Sequence, residues 1–249
     1  MNIISNDKLI KRNSRIAQIT GLVGMGVLVV SMVLLFKYNQ NPQIINISWG
    51  LILAGFILSQ VGIYFTNRWG RRPRPDEHLN MALKGLGGNY NLYHYKTPTP
   101  HLLVGPAGIW VLLPRHQRGT IVFEKGRFKQ RNLGVVQGYL RIFGQEGLGR
   151  PELEATMEVD AIKKFLKKKL GDVEIPPVQA AIIFTDDRAI LEADEAPIPV
   201  MPPKKLKEFI RKAAKQKPIT ALKLSEIQAV FDEGKSVKSI VPEEEVSEE

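Results

Sequence analysis

Residues 16–36 read IAQITGLVGMGVLVVSMVLLF and contain no charged side chain. Residues 44–65, IINISWGLILAGFILSQVGIYF, form a second uncharged run. Each run has the length of about 20 apolar residues that an α-helix needs to cross the hydrocarbon layer of a bilayer. The loop between them, KYNQNPQ, leaves room only for an antiparallel return. The sequence therefore predicts a transmembrane helical hairpin. Its spans begin and end at Ile16, Phe36, Ile44 and Phe65.

Basic residues flank the hairpin on one side. KRNSR (11–15) precedes the first span and NRWGRRPR (67–74) follows the second, whereas the loop carries only Lys37. The positive-inside rule places such flanks in the cytoplasm. We therefore expect a multi-pass protein of the cell membrane, the inner membrane in a bacterium, with both termini cytoplasmic. A cleaved signal peptide is the competing interpretation of the first span, but that apolar run is too long.

The formal net charge of +10 is concentrated around the hairpin. Residues 1–75 hold nine Lys and Arg against one acid, Asp7, so the rest of the chain is nearly balanced. The absence of cysteine excludes disulfides, thiolate metal ligands and cysteine nucleophiles. We expect five segments: a basic cytoplasmic N-terminus (1–15), the hairpin (16–67), a basic linker (68–75), a cytoplasmic domain (76–235) and an acidic, disordered tail (236–249).

The body behind the hairpin alternates helical and extended patterns. Helical spacing of apolar residues occurs over 76–86, 152–170, 203–215 and 220–232. Short β-type runs separated by Gly and Pro occur at 91–95, 101–105, 108–113, 119–124 and 127–131. VQAAIIF (178–184) is continuously apolar, which is typical of a strand buried on both faces. The predicted fold class is one α/β domain behind a transmembrane α-hairpin.

Residues 100–121, PHLLVGPAGIWVLLPRHQRGTI, carry the most specific motif of the chain. With the preceding DEHLNMALKGLGGNYNLYHY (76–95), this stretch resembles the nuclease-related domain, NERD, a family of restriction-endonuclease-like nucleases. The matching framework residues are His101, Val104, Gly105, Pro106, Gly108, Ile109, Val111, Leu112, Gly119 and Ile121. The resemblance covers roughly residues 76–200 and implies a restriction-endonuclease-like domain with a mixed sheet.

The resemblance also implies a magnesium site, and here the chain departs from the family. That chemistry needs two acids on adjacent strands to hold Mg²⁺ and a nearby Lys to position and activate water. Pro100 stands at the position of the Asp, Leu113 at that of the Glu and Arg115 at that of the Lys. Arg stays protonated, so it cannot act as a base, although it can hold a phosphate. Only Glu77, which matches the family's helical Glu, is kept. We expect no metal and no cofactor.

Other titratable side chains leave alternatives open. Glu124, at the end of the next strand, and Asp76 are the nearest acids that could restore a Mg²⁺ site, but Glu124 is more simply a solvated acid. His101 is expected to be structural and His116 exposed. The pair Asp186-Asp187 follows the buried strand, where active sites do occur, but "TDDR" equally predicts a turn, which is the interpretation we prefer.

Two basic features lie outside the membrane flanks. The first comprises Arg115, Arg118, Lys125, Arg127, Lys129 and Arg131. Strand alternation places the last three on one face, where nucleic acid would lie in the family. The second is a pair of Lys-rich helices, around 163–169 and 204–217, that could bind anionic lipid headgroups instead. Solvated outward faces are the simpler alternative for both features.

Three functional hypotheses follow from these patterns. The first is a membrane-tethered binding or scaffolding module without nuclease activity, whose partner is nucleic acid or another molecule at the cytoplasmic face. The second is an enzyme, a divergent Mg²⁺-dependent nuclease with relocated acids centred on Glu77 and Glu124. The third is a structural assembly factor whose basic helices lie on lipid.

Overall fold

The computed structural model describes residues 1–38, 40–132, 147–171, 175–216 and 219–232, except for the side chains of residues 221 and 222. The expected acidic tail (236–249), the last residues of the expected domain (233–235), most of the Gly-rich run after residue 131, and Lys217 lie outside these ranges.

Two long antiparallel helices form the N-terminal hairpin. α1 spans Asp7–Lys37 and α2 spans Pro42–Phe65, so each helix contains one of the predicted spans. Both are long and apolar enough to cross a membrane, and only 11% of an apolar 18-residue stretch of each helix is buried within the protein. Leu22 and Phe36, for example, are 73% and 70% exposed. A helix in the core of a soluble domain would instead bury most of this surface.

Small residues set the closest approach of α1 and α2. A Cβ built on Gly24 would lie 2.9 Å from the backbone N of Ser59, and one built on Gly62 would lie 3.0 Å from the N of Gly21. A Cβ on Gly26 would meet nothing within 4 Å. Gly24 and Gly62 therefore lie in the contact and let the two backbones come close, whereas Gly26 lies away from it.

The main sheet contains six strands: β1 (Asn2–Ser5), β2 (Asn91–His94), β3 (His101–Gly105), β4 (Gly108–Arg115), β7 (Val178–Phe184) and β9 (Val200–Met201). They lie in the order β1-β2-β3-β4-β7-β9. β2, β3 and β4 are antiparallel neighbours, whereas β1 is parallel to β2, and β7 is parallel to both β4 and β9. A smaller sheet contains β5 (Gly119–Glu124), β6 (Arg127–Arg131) and β8 (Ala189–Glu192) in the order β6-β5-β8. The predicted mixed α/β class is confirmed.

Helices cover both faces of the main sheet. They are α3 (Pro75–Ala82), α4 (Pro151–Leu170), α5 (Pro203–Gln216) and α6 (Ala221–Asp232). Alternation along β4 divides the core in two. Trp110 and Leu112 join the apolar cluster that contains residues of α3 and α5, whereas Val111 and Leu113 join the cluster that contains residues of α4 and α6. The end of β4 therefore presents the side chain of Leu113 on the α4 side of the sheet.

β7 occupies the position that its sequence predicts. It lies between β4 and β9, and its side chains enter both apolar clusters. A strand covered on both faces needs a continuous apolar run rather than an alternating one, which explains the sequence VQAAIIF.

β1 was not predicted, because residues 1–15 were interpreted only as a basic flank. Asn2 N donates to Tyr90 O at 2.7 Å, and the strand pairs with β2 over its whole length. Only Asn6 separates β1 from α1, and its side-chain oxygen accepts from Leu9 N at 3.2 Å, which caps the helix. The hairpin is thus joined to the body at both ends, through Asn6 and through a π-helical turn, Thr66–Gly70, that follows α2.

Candidate functional site

The main sheet and the hairpin meet at a cavity. β1, β2 and β4 run in the same direction, so their carboxyl ends lie together, at the end of the sheet where α1 begins. A cavity of about 180 Å³ lies there, and Leu112, Leu113 and Arg115 from the end of β4 form part of its wall. Tyr64 and Trp69, from the end of α2 and the π-helical turn, form another part. The cavity is therefore shared between the sheet and the base of the hairpin.

The three positions at which the resemblance implies catalytic residues lie together at this cavity. Leu102 pairs with Val111 across β3 and β4, and Pro100 and Leu113 each lie two residues from this pair towards the cavity. Arg115 follows two residues after Leu113, on the same face of β4. All three residues line the cavity. Two of them, Pro100 and Leu113, offer no side-chain oxygen to a cation.

Two carboxylates that the sequence analysis missed lie beside Arg115. Glu154 and Glu158 are one helical turn apart on α4, and both line the cavity. Arg115 Nη2 donates to Glu154 Oε2, and the arginine side chain is only 11% exposed. Burial raises the pKa of Glu158 to about 7; the negative charge of Glu154 adds to this shift and the cation of Arg115 opposes it. The site thus holds one arginine, the acid Glu154 that accepts from it, and a second acid, Glu158, whose raised pKa favours its protonated form.

A signal for these two acids was present in the helical pattern. Ile162 is fully buried on α4, and Glu158 and Glu154 precede it at intervals of four residues, on the same face of the helix. Acids that continue a buried stripe need a partner, because an isolated charge is costly to bury. The partner, Arg115, is distant in sequence, and periodicity alone does not identify it.

Glu77, which matches the helical Glu in the resemblance, binds Arg74 at the start of α3. Its Oε2 accepts from Arg74 N at 2.9 Å, and its Oε1 lies 3.0 Å from Arg74 Nη1. Asp76, which is buried, accepts from Nε and Nη2 of the same arginine at 3.0 and 2.9 Å. Both acids complement the first turn of the helix, and neither belongs to the described wall of the cavity.

Glu124 lies in the smaller sheet. Its strand, β5, pairs with β6 and β8 rather than with β4. Its carboxylate lies 2.7 Å from Arg131 Nη2 and 3.5 Å from Lys129 Nζ. The structure therefore does not bring Glu77 and Glu124 to the cavity that contains Leu113. Over the described ranges, no group of three or more His, Cys, Asp or Glu side chains is arranged to hold a metal ion.

The basic side chains expected to bind an anion are divided between two places. Arg115 lines the cavity. Arg127, Lys129 and Arg131 are exposed on one face of β6, as strand alternation predicts. Lys125 lies in the turn that joins β5 to β6, and Arg118 precedes β5, where its carbonyl accepts from Gln130 Nε2. Because Glu124 is a single acid among them, the β5–β6 hairpin keeps a net positive charge.

His94 and His101 form a buried pair at the edge of the cavity. Their Nδ1 atoms are 2.8 Å apart, and His94 Nε2 lies 3.0 Å from Asn80 Oδ1. Because a carbonyl oxygen only accepts, His94 donates from Nε2, and its Nδ1 accepts from His101 Nδ1. Burial lowers the pKa of His94 to about 4 and the pKa of His101 well below its ordinary value. A neutral, buried pair fits the structural role expected for His101. His116 is exposed, as expected.

A second cavity, of about 250 Å³, adjoins the first and shares Asn67, Pro75, Pro114 and His116 with it. Arg71 and Arg72 contribute to its wall, as does Asp186. Asp186 begins the expected turn after β7, where its Oδ1 accepts from Arg188 N at 3.0 Å. Hydrogen bonding to the Arg188 side chain lowers the pKa of Asp186 to about 2.

Comparison of the chain with protein-family models, with curated proteins and with solved structures gives no match. Its function must therefore be inferred from the cavity, from the charges around it and from its place beside the hairpin.

Proposed function

We propose that the chain is a membrane-anchored module that binds nucleic acid at the cytoplasmic face without cleaving it. Its body is a NERD-like, restriction-endonuclease-like domain whose Mg²⁺ site has been lost. The observation that carries this proposal is the convergence of Pro100, Leu113 and Arg115 on one cavity, at adjacent strands, without the two acids that the chemistry requires.

The exposed apolar surface of α1 and α2 supports membrane anchoring, because such surface is stable in hydrocarbon and not in water. The pairing of β1 with β2 supports the topology, since it requires the N-terminus and the body to lie on the same side of the membrane. The basic flanks of the hairpin then select the cytoplasmic side.

The order of the elements supports the family resemblance. Three antiparallel strands, the long helix α4 and the buried strand β7 follow one another as the resemblance implies. Pro100 and Leu113, which stand at the Asp and Glu positions in the resemblance, both line the cavity. The two positions at which the resemblance implies metal-binding acids therefore lie at one cavity, although their side chains cannot bind a metal.

The charges at the cavity support a module that does not cleave. Arg115 replaces a lysine that would activate water, and its guanidinium is bound by Glu154. On the β5–β6 hairpin, Arg127, Lys129 and Arg131 form an exposed basic face. Cations on such a face bind phosphates without reading sequence, and the binding weakens as salt displaces it.

The test uses the full chain in lipid nanodiscs, because a body that begins at residue 76 would lack β1. Binding to a double-stranded DNA oligonucleotide is measured over a range of salt concentrations, in neutral lipid to remove competition from the bilayer. We expect affinity to fall steeply with salt, and a triple variant, Arg127→Gln, Lys129→Gln and Arg131→Gln, to bind much more weakly. A matched control replaces Lys163, Lys164 and Lys167 on α4 with Gln. Equal losses in both variants, or no binding by the wild type, would reject the β6 face.

A second candidate function is a divergent nuclease with relocated acids. Glu154 and Glu158 favour it, because they bring two carboxylates to the cavity that holds Leu113. Incubation of the nanodisc-bound chain with plasmid DNA and Mg²⁺ or Mn²⁺ distinguishes the two functions. Cleavage that disappears in Glu158→Gln would establish the nuclease and overturn the first proposal.

A further inference from the structure

Buried polar atoms without a partner converge on the cavity at the base of the hairpin. Trp69 Nε1, Arg115 Nε and Glu158 Oε2 are all shielded from solvent and have no hydrogen-bond partner in the described part of the chain. All three residues line the same cavity. Buried polar atoms in folded proteins are nearly always paired. Three exceptions around one cavity therefore indicate that a ligand with complementary atoms occupies it.

The unpaired atoms define the chemistry of that ligand. Trp69 Nε1 and Arg115 Nε can only donate hydrogen bonds. Glu158 becomes a third donor when its carboxyl group is protonated, and burial raises its pKa to about 7. The complementary ligand is therefore rich in acceptor oxygens.

The charges around the cavity indicate whether the ligand is neutral or anionic. Arg68 and Arg115 both line the cavity; of the two acids there, Glu154 is bound to Arg115, and burial favours the neutral form of Glu158 by raising its pKa to about 7. The adjoining cavity adds Arg71 and Arg72. Asp186 is the acid on that wall, and Arg188 binds it. An anion is thus favoured over a neutral acceptor, and a tetrahedral phosphate group offers several oxygens to several donors.

The position of the cavity identifies the source of the phosphate. Its hairpin wall includes Tyr64 in the last turn of α2 and Trp69 in the π-helical turn. The neighbouring Gly70 lies against α1 at Ala17, since a Cβ on Gly70 would be 3.4 Å from the Cβ of Ala17. Ala17 is the second residue of the first predicted span, so this wall lies where the spans leave the hydrocarbon. Aromatic side chains with a polar atom favour this layer, which is the layer of the lipid phosphates.

We infer that the cavity binds the headgroup of an anionic phospholipid, whose phosphate oxygens accept hydrogen bonds from Trp69 Nε1 and Arg115 Nε. The side chains of Pro100 and Leu113, which deprive the cavity of metal ligands, give it an apolar side that suits the glycerol carbons. This inference rests on the proposed membrane anchoring, but not on the proposed binding of nucleic acid.

The experiment uses the full chain in a mild detergent and counts retained lipid by native mass spectrometry. Phosphatidylglycerol, phosphatidylcholine and soluble glycerol 3-phosphate are titrated separately. We expect one phosphatidylglycerol to be retained per chain, more tightly than phosphatidylcholine, and glycerol 3-phosphate to bind weakly. Trp69→Phe keeps an aromatic side chain, although a smaller one, and removes the donor. It should weaken retention about tenfold, since a hydrogen bond to a charged group is stronger than a neutral one.

Trp49→Phe is the matched control. Trp49 lies in α2 near the opposite end of the hairpin and is 60% exposed, so its replacement should leave retention unchanged. Arg115→Gln should weaken retention at least as much as Trp69→Phe; its fold is checked by circular dichroism because it also frees Glu154.

Three results would overturn the inference. The first is equal retention of phosphatidylglycerol by the wild type, Trp69→Phe and Trp49→Phe. The second is equally tight, Trp69-dependent binding of glycerol 3-phosphate or of a DNA oligonucleotide, which would assign the cavity to a soluble phosphate or to nucleic acid. The third is release of the chain from membranes by alkaline carbonate, which would instead show that the proposed anchoring fails.

Discussion

Arg115, at the end of β4, donates to Glu154 in the first turn of α4. Arg115 is therefore held by an acid that lies 39 residues later in the chain. This contact joins the main sheet to α4 at the cavity. It also means that Arg115 Nη2 is engaged even before any ligand enters.

Glu154→Gln is expected to destabilise the chain by about 1–2 kcal/mol, because the largely buried Arg115 loses its charged acceptor. The control is Asp160→Asn on the same helix. Asp160 pairs with Lys163 at 3.7 Å, and both side chains are more than half exposed, so its loss should cost about 0.5 kcal/mol or less. Urea unfolding in detergent compares the two. Equal effects would show that the Arg115–Glu154 contact contributes no more than a surface pair.

Stability is expected to fall on acidification because of the buried histidines. The pKa of His94 is about 4 in the folded chain against an ordinary value of 6.5. Between these values the unfolded chain binds more protons than the folded chain, so the contribution of His94 is lost as pH falls from 6.5 towards 4. Thermal unfolding of His94→Gln should depend less on pH over this range than that of the wild type. The exposed His116→Gln serves as the control and should keep the wild-type slope.

Glu158 is expected to act in the opposite direction. Its pKa is about 7 in the folded chain against an ordinary 4.5, so the folded chain binds the proton more tightly. The contribution of Glu158 is therefore fully present below pH 4.5 and is lost as pH rises through 7. Between pH 5 and pH 8 the wild type should therefore lose stability, whereas Glu158→Gln should not show this loss. A wild-type melting temperature that changes in parallel with that of Glu158→Gln would contradict the assignment.

β1 is expected to contribute to the stability of the body. Ile4 packs against the apolar cluster that contains α4, whereas Ile3 is 49% exposed. Ile4→Ala should therefore cost about 1–2 kcal/mol, less than a fully buried isoleucine, and Ile3→Ala should have almost no effect. Limited proteolysis of the body gives a second measurement. If both variants unfold like the wild type, β1 is not an integral strand of the sheet.

The packing of the hairpin can be tested with two glycines of α1. Gly24→Leu introduces a side chain where a Cβ would already lie 2.9 Å from Ser59, and it should destabilise the hairpin by about 1–3 kcal/mol. Gly26→Leu places the same side chain where a Cβ would meet nothing within 4 Å, and it should be tolerated. Thermal aggregation in detergent separates the two variants, and a greater effect of Gly26→Leu would reject the contact.

Much of the fold was predictable because its elements are marked locally. The two uncharged runs predicted α1 and α2, and the spacing of Ile162 and Leu166 predicted α4. The continuous run VQAAIIF predicted a central strand, and alternation along β6 correctly placed Arg127, Lys129 and Arg131 on one face. In each case the pattern repeats within a few residues, so no knowledge of distant neighbours is needed.

The features that were missed depend on pairing between distant residues. β1 is a four-residue strand whose stability comes from β2, which lies almost ninety positions further along the chain. The cavity is built from the end of α2, the end of β4 and one face of α4. Its donors and acids, including Trp69 and Glu158, carry no short motif that would connect them.

Binding of Mn²⁺ to the full chain, measured by electron paramagnetic resonance, is the decisive measurement for the proposed loss of the metal site. The comparison is with a Glu154→Gln, Glu158→Gln double variant, which removes the carboxylates that line the cavity. We expect indistinguishable, weak titrations for the wild type and the variant. One tightly bound Mn²⁺ per wild-type chain that is absent from the variant would show that the cavity still holds a metal.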